Sequence, residues 1–261
     1  MSNPDLPPEI LDDIIDLLHD QPETLKRCCL VSKSWVPRTR KHIFAHIGFQ
    51  GQHHLFSWED TFPDPSTSPA CYAKTLYIGC SQLVAADAKA GSWIRGFSRV
   101  GHLELSSQTL ISGRMFSLVP FHGISPVVQS LRVVAPALPF PGIINLIVSF
   151  PRLEDLVVVV FYKMPDSDDG RNSLSTAVQP AGPPAFTGSL ELYSKGGMEP
   201  FTRRLLSLPG GIHFRKLVLT WFHEADPSTT TALVERCSHT LESLKVSDFS
   251  GTSIRHLCPH R

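Results

Sequence analysis

The chain has 261 residues, 42% of them hydrophobic, enough apolar side chain for a sizeable core in one large domain or two smaller ones. Lys plus Arg and Asp plus Glu number 24 each, and this zero net charge removes the basic surplus on which general nucleic-acid binding rests. The N-terminus, MSNPDLPPEILDD, lacks the basic and apolar regions of a secretory signal, and no apolar run reaches membrane-spanning length, so no membrane partner is expected. The six cysteines form no C-x-x-C pair, so reduced thiols in the cytoplasm and/or nucleus are expected instead of a disulfide framework.

LPPEILDDIIDLLHD reads as a first helix, entered through Pro7 and Pro8, with Glu9 and Asp12 at the positive end of its dipole. Ile10, Leu11, Ile14, Ile15, Leu17 and Leu18 recur at three- and four-residue steps, while Glu9, Asp12, Asp13, Asp16 and Asp20 share the other face. So wide an apolar stripe on so short a helix can serve two neighbours, its own bundle and something else. QPETLKRCCLVS starts a second helix, with Leu25, Cys28 and Cys29 on one side and Leu30 and Val31 spread toward another. Ser34 is expected to cap a third helix, in which Val36, Thr39, Ile43 and Ile47 follow helical spacing around Trp35 and Phe44. Lys33, Arg38, Arg40 and Lys41 read as a solvated face, and the two cysteines as small apolar filler. Three helices in so few residues form too small a core for much independent stability.

The ordered run Leu6-Pro7-Pro8-Glu9-Ile10-Leu11, then Ile14, Leu18 and Leu25, then Leu30-Val31-Ser32-Lys33-Ser34-Trp35, resembles an F-box over roughly residues 5–47. The resemblance implies three helices that bind the Skp adaptor of a cullin–RING ubiquitin ligase. It implies that Leu6, Pro7, Ile10, Ile14, Leu25, Leu30 and Val31 meet that adaptor, with Trp35 anchoring the bundle itself.

Residues 48–74 read as a linker, with HHLFSWED as a helical candidate and TFPDPSTSPA as a turn-rich connector. From there to residue 261 a short motif, Leu-x-Leu/Ile/Val, recurs at Leu76/Ile78, Leu103/Leu105, Leu131/Val133, Leu156/Val158, Leu190/Leu192, Leu217/Leu219 and Leu244/Val246. The steps between first leucines are 27, 28, 25, 34, 27 and 27 residues. Alternation at period two marks strands with one buried face. Helix-like stretches lie between them, in GSWIRGFSRV, PGIINLIVSF, MEPFTRRLLSL and DPSTTTALVERC. Strand then helix at this period is the leucine-rich-repeat signature, so the expected fold class is α/β: a three-helix F-box at 1–47, then an irregular solenoid of about seven units with a curved parallel sheet over 75–261.

The position that holds Asn in standard leucine-rich repeats carries Ser81, Gln108, Pro136, Phe161, Lys195, Phe222 and Phe249, so no asparagine ladder can form. The chain as a whole resembles fungal F-box proteins with degenerate leucine-rich repeats. Residues 165–184 read as a mobile surface loop, and DSDD at Asp166–Asp169 as its solvated part. So few residues follow the seventh strand that either a short cap closes the array or the chain is truncated.

No phosphate loop, dinucleotide fingerprint or nucleophile elbow occurs, and His42 and His46 stand four apart with no Glu after His42, unlike a zinc-protease helix. No enzyme, cofactor or metal is expected. In each strand the residues flanking the leucines would face the concave surface. That surface would present His102, Glu104, Arg132, Asp155, Val157, Val159, Glu191, Tyr193, Lys216, Val218, Thr220 and Lys245. Its mixed charge suits a protein ligand. The expectation is a substrate-recognition subunit that docks the Skp adaptor and, through it, a cullin, while the repeats hold a protein substrate. An F-box scaffold acting outside a ligase is the alternative.

Overall fold

The structure is a computed structural model, and it describes residues 7–79, 93–106, 124, 126–134, 140–160, 186–194, 198–221, 227–248 and 255–257. Leu6, Asp226 and the loop at 165–184 lie outside the described residues. The chain is α/β, with one open sheet of nine strands. They are β1 (His46–Phe49), β2 (Thr75–Ile78), β3 (His102–Ser106), β4 (Ser130–Val134), β5 (Asp155–Val160), β6 (Ser189–Ser194), β7 (Lys216–Trp221), β8 (Ser243–Asp248) and β9 (Arg255–Leu257). Their spatial order is their chain order, β1 to β8 are all parallel, and β9 turns back antiparallel on β8.

Register follows the leucines. Leu76, Leu103, Leu131, Leu156, Leu190, Leu217 and Leu244 stand opposite one another along the sheet, and the second apolar residue of each motif forms a parallel row. Leu76 to Leu217 and Ile78 to Leu219 are buried in one continuous core. A slip of one residue in any strand would turn its leucines out and its polar residues in, so the burial itself fixes the register.

The ladder has one more member than the leucine motif shows. Ile47 pairs with Leu76 and Phe49 with Ile78, and both are buried. Ile47 therefore belongs to a strand and not to the third helix, and the sheet begins at His46, inside the segment assigned to the helical module. The helical spacing of Val36, Thr39 and Ile43 is real, but the helix stops at Ile43 and the chain extends two residues later.

Helices follow the strands: α4 (Gln52–Thr61) after β1, α5 (Phe140–Val148) after β4, α6 (Glu199–Leu206) after β6 and α7 (Pro227–Cys237) after β7. α5 packs on α6 and α6 on α7, so the covering layer is as sequential as the sheet. Within the helix-like stretch after β2, Trp93–Gly96 form a 3₁₀ turn, and Trp93, Ile94 and Phe97 are buried in the core.

The N-terminal helices are α1 (Pro8–Leu17), α2 (Pro22–Val31) and α3 (Val36–Ile43), the last preceded by a 3₁₀ turn at Lys33–Trp35. Ser32, not Ser34, caps that turn, its hydroxyl accepting the Ser34 amide at 3.3 Å. A seam of aromatic rings joins this module to the sheet. Phe44, just past α3, meets Trp58 of α4 at 6.5 Å between ring centres; Phe49 meets Trp58 at 5.6 Å, Trp93 at 5.4 Å and Phe97 at 6.2 Å. Most of these pairs are edge-to-face, the arrangement the ring quadrupoles favour. Phe97 is fully buried among them, so Phe97→Ala is expected to cost about 3–5 kcal/mol of stability in urea denaturation.

Candidate docking surfaces

The first helix turns a charged side toward its neighbour. Asp16 of α1 takes a two-pronged contact from Arg38 of α3, with Arg38 Nε donating to Asp16 Oδ1 at 2.6 Å and Nη2 to Oδ2. His42 Nε2 lies 2.7 Å from the same Oδ1, and Asp12 Oδ2 is 3.8 Å from Arg38 Nη1. Hydrogen bonds from Arg38 and then His42 hold the Asp16 carboxyl well below the usual carboxylate range. Asp12 and Asp16 are thus not simply a solvated face, and Arg38 is not a free cation. His42 and His46 do not share a helix face, because His46 lies on β1. Among the described residues no cluster of three or more His, Cys, Asp or Glu is placed to hold a metal ion.

The apolar stripe of α1 consequently divides. Ile15 is buried against the module, while Ile10, Ile14 and Leu17, one helical face apart from it, are exposed, Leu17 by 77%. On α2, Leu30 is 87% and Val31 67% exposed. Pro7 is exposed as well. Leu25 is the exception among the expected adaptor contacts: it is fully buried, the core residue of α2, and cannot meet a partner in this arrangement. Cys28 and Cys29 are half-buried, and Cys29 Sγ lies 2.8 Å from the Thr39 hydroxyl, which donates in turn to the Trp35 carbonyl at 2.9 Å. Trp35 itself is half-buried, so Leu25 and Ile15, more than the tryptophan, form the centre of this bundle.

On the sheet, the face opposite the leucines carries the other expected surface. Across it Glu104 pairs with Arg132 at 3.3 Å and Glu191 with Lys216 at 2.9 Å, and Tyr193 donates its hydroxyl to Glu191 at 3.1 Å. The Lys216 ammonium is raised by its hydrogen bond to Glu191, and the Tyr193 phenol is raised by burial and then by the Glu191 charge. Val157 is half-exposed between the two ion pairs, while His102 and Lys245 stand exposed toward opposite ends. Val159, Val218 and Thr220, by contrast, are buried and offer a ligand little.

Asp155, half-buried on the same face, is engaged within the chain. Its Oδ1 accepts from the Ser189 amide at 2.6 Å and from the Ser189 hydroxyl at 2.8 Å, fastening the start of β6 to the start of β5 after a long connection. Gly188 is required beside it, because a Cβ there would collide with the Asp155 carboxylate.

No protein-family model matches the chain, and neither a characterised protein nor a solved structure matches it significantly. No described helix is long and apolar enough to cross a membrane.

The ion pairs of Asp16 have a pH signature. A carboxylate whose folded pKa is lowered adds stability that is fully present above its unfolded value, near 3.9, begins to be lost below it, and is gone only once pH has fallen through the lowered folded value. Because the pair is partly exposed, Asp16→Asn is expected to cost only about 1 kcal/mol at pH 7. Thermal melts should show a constant gap between wild type and variant from pH 7 to about pH 4, and a gap that only begins to narrow between pH 4 and pH 2.

Proposed function

We propose that the chain is a substrate-recognition subunit of a cullin–RING ubiquitin ligase, with residues 7–43 acting as an F-box and the sheet as an irregular leucine-rich-repeat-like solenoid. The observation that carries the reading is the exposure of Pro7, Ile10, Ile14, Leu30 and Val31, five positions of the F-box-like pattern, on helices whose own core is made by Ile15 and Leu25. Apolar side chains on two helices of one small module are costly to leave in water, and exposed apolar patches of this kind mark interaction sites. The solenoid part of the reading is supported by strictly sequential parallel strands, leucines in register, and helices that follow strands and pack on the next helix.

In this scheme the adaptor sits on α1 and the end of α2. A protein substrate sits on the outer face of the sheet, touching His102, Glu104, Arg132, Val157, Glu191, Tyr193, Lys216 and Lys245. The two ion pairs there are satisfied within the chain, so they set shape and register more than net charge. No residue performs covalent chemistry. The chain raises the effective concentration of a substrate at a ligase assembled on the adaptor, in the cytoplasm and/or nucleus.

Co-expression with a Skp adaptor tests the reading. The wild-type chain is expected to co-purify stoichiometrically. Leu30→Asp with Val31→Asp, both on exposed positions, is expected to abolish capture without lowering the melting temperature by more than a few degrees. Absence of wild-type capture, or equal capture by the double variant, refutes the F-box assignment. Capture of adaptor without cullin would move the chain to a scaffold role outside a ligase.

A further inference from the structure

The first strand leaves one side of the sheet open. Ala45, Ile47 and Phe49 turn their main-chain groups toward β2, as the bonds from Thr75 to the Ala45 carbonyl at 3.0 Å and from Gly79 to the Phe49 carbonyl show. Alternation then points the N–H and C=O of His46 and Gly48 the other way. β1 is the edge of the sheet, and among the described residues no main-chain partner meets those groups. Both residues are exposed.

Below this edge is a shallow, open hollow of about 390 Å³, walled by Ile43 at the end of α3 and Phe44 just past it, by β1 itself, and by His54, Ser57, Trp58, Thr61 and Phe62 of α4 and its end. Its floor is aromatic and apolar. Its polar wall has a fixed polarity. The Gln50 amide donates to His54 Nδ1 at 3.3 Å, and since an amide can only donate, the ring proton of neutral His54 sits on Nε2. His54 therefore offers an N–H to an incoming acceptor. His46 and His54 are the titratable residues of the lining, and no carboxylate is among them.

We propose that this edge is a β-augmentation site: an extended segment of a partner protein adds as a further strand on β1, exchanging main-chain hydrogen bonds with His46 and Gly48. Alternate apolar side chains of that segment fill the hollow against Phe44, Trp58 and Phe62, and an acidic side chain accepts from His54. Unpaired edges template strand addition, with main-chain bonds giving affinity and pockets for alternate side chains giving specificity. The site is separate from the exposed residues of α1 and α2, so it neither needs nor supports the adaptor reading.

The test uses the full chain as bait for a random peptide display library. Enriched peptides are expected to alternate apolar residues around an Asp or Glu, and to shift the amide resonances of His46 and Gly48 on titration. Gly48→Pro removes the outward N–H while sparing the bonds to β2, since an edge strand tolerates proline on its open side. Ser57→Trp fills the hollow from an exposed helix position. Each variant is expected to weaken the peptides about tenfold or more at an unchanged melting temperature and with adaptor capture unchanged. No enrichment over an unrelated bait, or equal affinity for Gly48→Pro, overturns the proposal. So does a concentration-dependent dimer in light scattering that Gly48→Pro dissolves, because the edge would then belong to a second copy of the chain.

Discussion

The structure depends on one row of side chains. Ile47, Leu76, Leu103, Leu131, Leu156, Leu190, Leu217 and Leu244 stand side by side across eight parallel strands, and the residue two further on in each strand forms a second row beside it. No strand can bury this pair alone, and none can shift by one residue without exposing it. Each strand is therefore placed by its predecessor, and the helices that follow are laid down in the same order. Where the connection between strands lengthens, before β6, a polar clamp is added: Asp155 at the start of β5 takes both the amide and the hydroxyl of Ser189.

The row also reaches back to the N-terminal helices. Only Phe44 and Ala45 separate α3 from β1, and Phe44 enters the aromatic seam with Phe49, Trp58, Trp93 and Phe97. The small helical module thus rests on a core it could not build for itself. Alongside buried Ile15, α1 also faces its neighbour with Asp12 and Asp16. Arg38 and His42 answer that charge, and the apolar side chains Ile10, Ile14 and Leu17 are left outside. The inward contacts of α1 thus combine Ile15 with these ion pairs, and an exposed apolar stripe of this kind marks an interaction surface.

Seven strands were legible in the sequence because Leu-x-Leu at steps near 27 residues is a strong signal, and burial of both leucines requires the register seen. β1 was hidden for a physical reason. Ile47-Gly48-Phe49 carries no leucine, and Ile47 also completes a four-residue helical spacing with Ile43 and Thr39, so periodicity alone favoured helix. Leu25 was misplaced because a family-like pattern names apolar positions without saying which side of a helix is enclosed; three-dimensional packing puts Leu25 inside and Leu30 and Val31 outside. Asp155 sits at a position that faces outward in a regular strand, but Ser189, distant in sequence, captures its carboxylate. Arg38 reaching Asp16 and the open edge at His46 and Gly48 likewise depend on long-range placement that local spacing does not encode.

Hydrogen–deuterium exchange of the full chain, alone and saturated with purified Skp adaptor, separates the two candidate surfaces. Added protection is expected on α1 and the end of α2 alone, at Ile10–Leu17 and Cys28–Val31, with the amides of β3 to β8 unchanged because the ladder is already closed. Protection appearing on the strands instead, or no change on α1 and α2 at saturating adaptor, would contradict the F-box assignment.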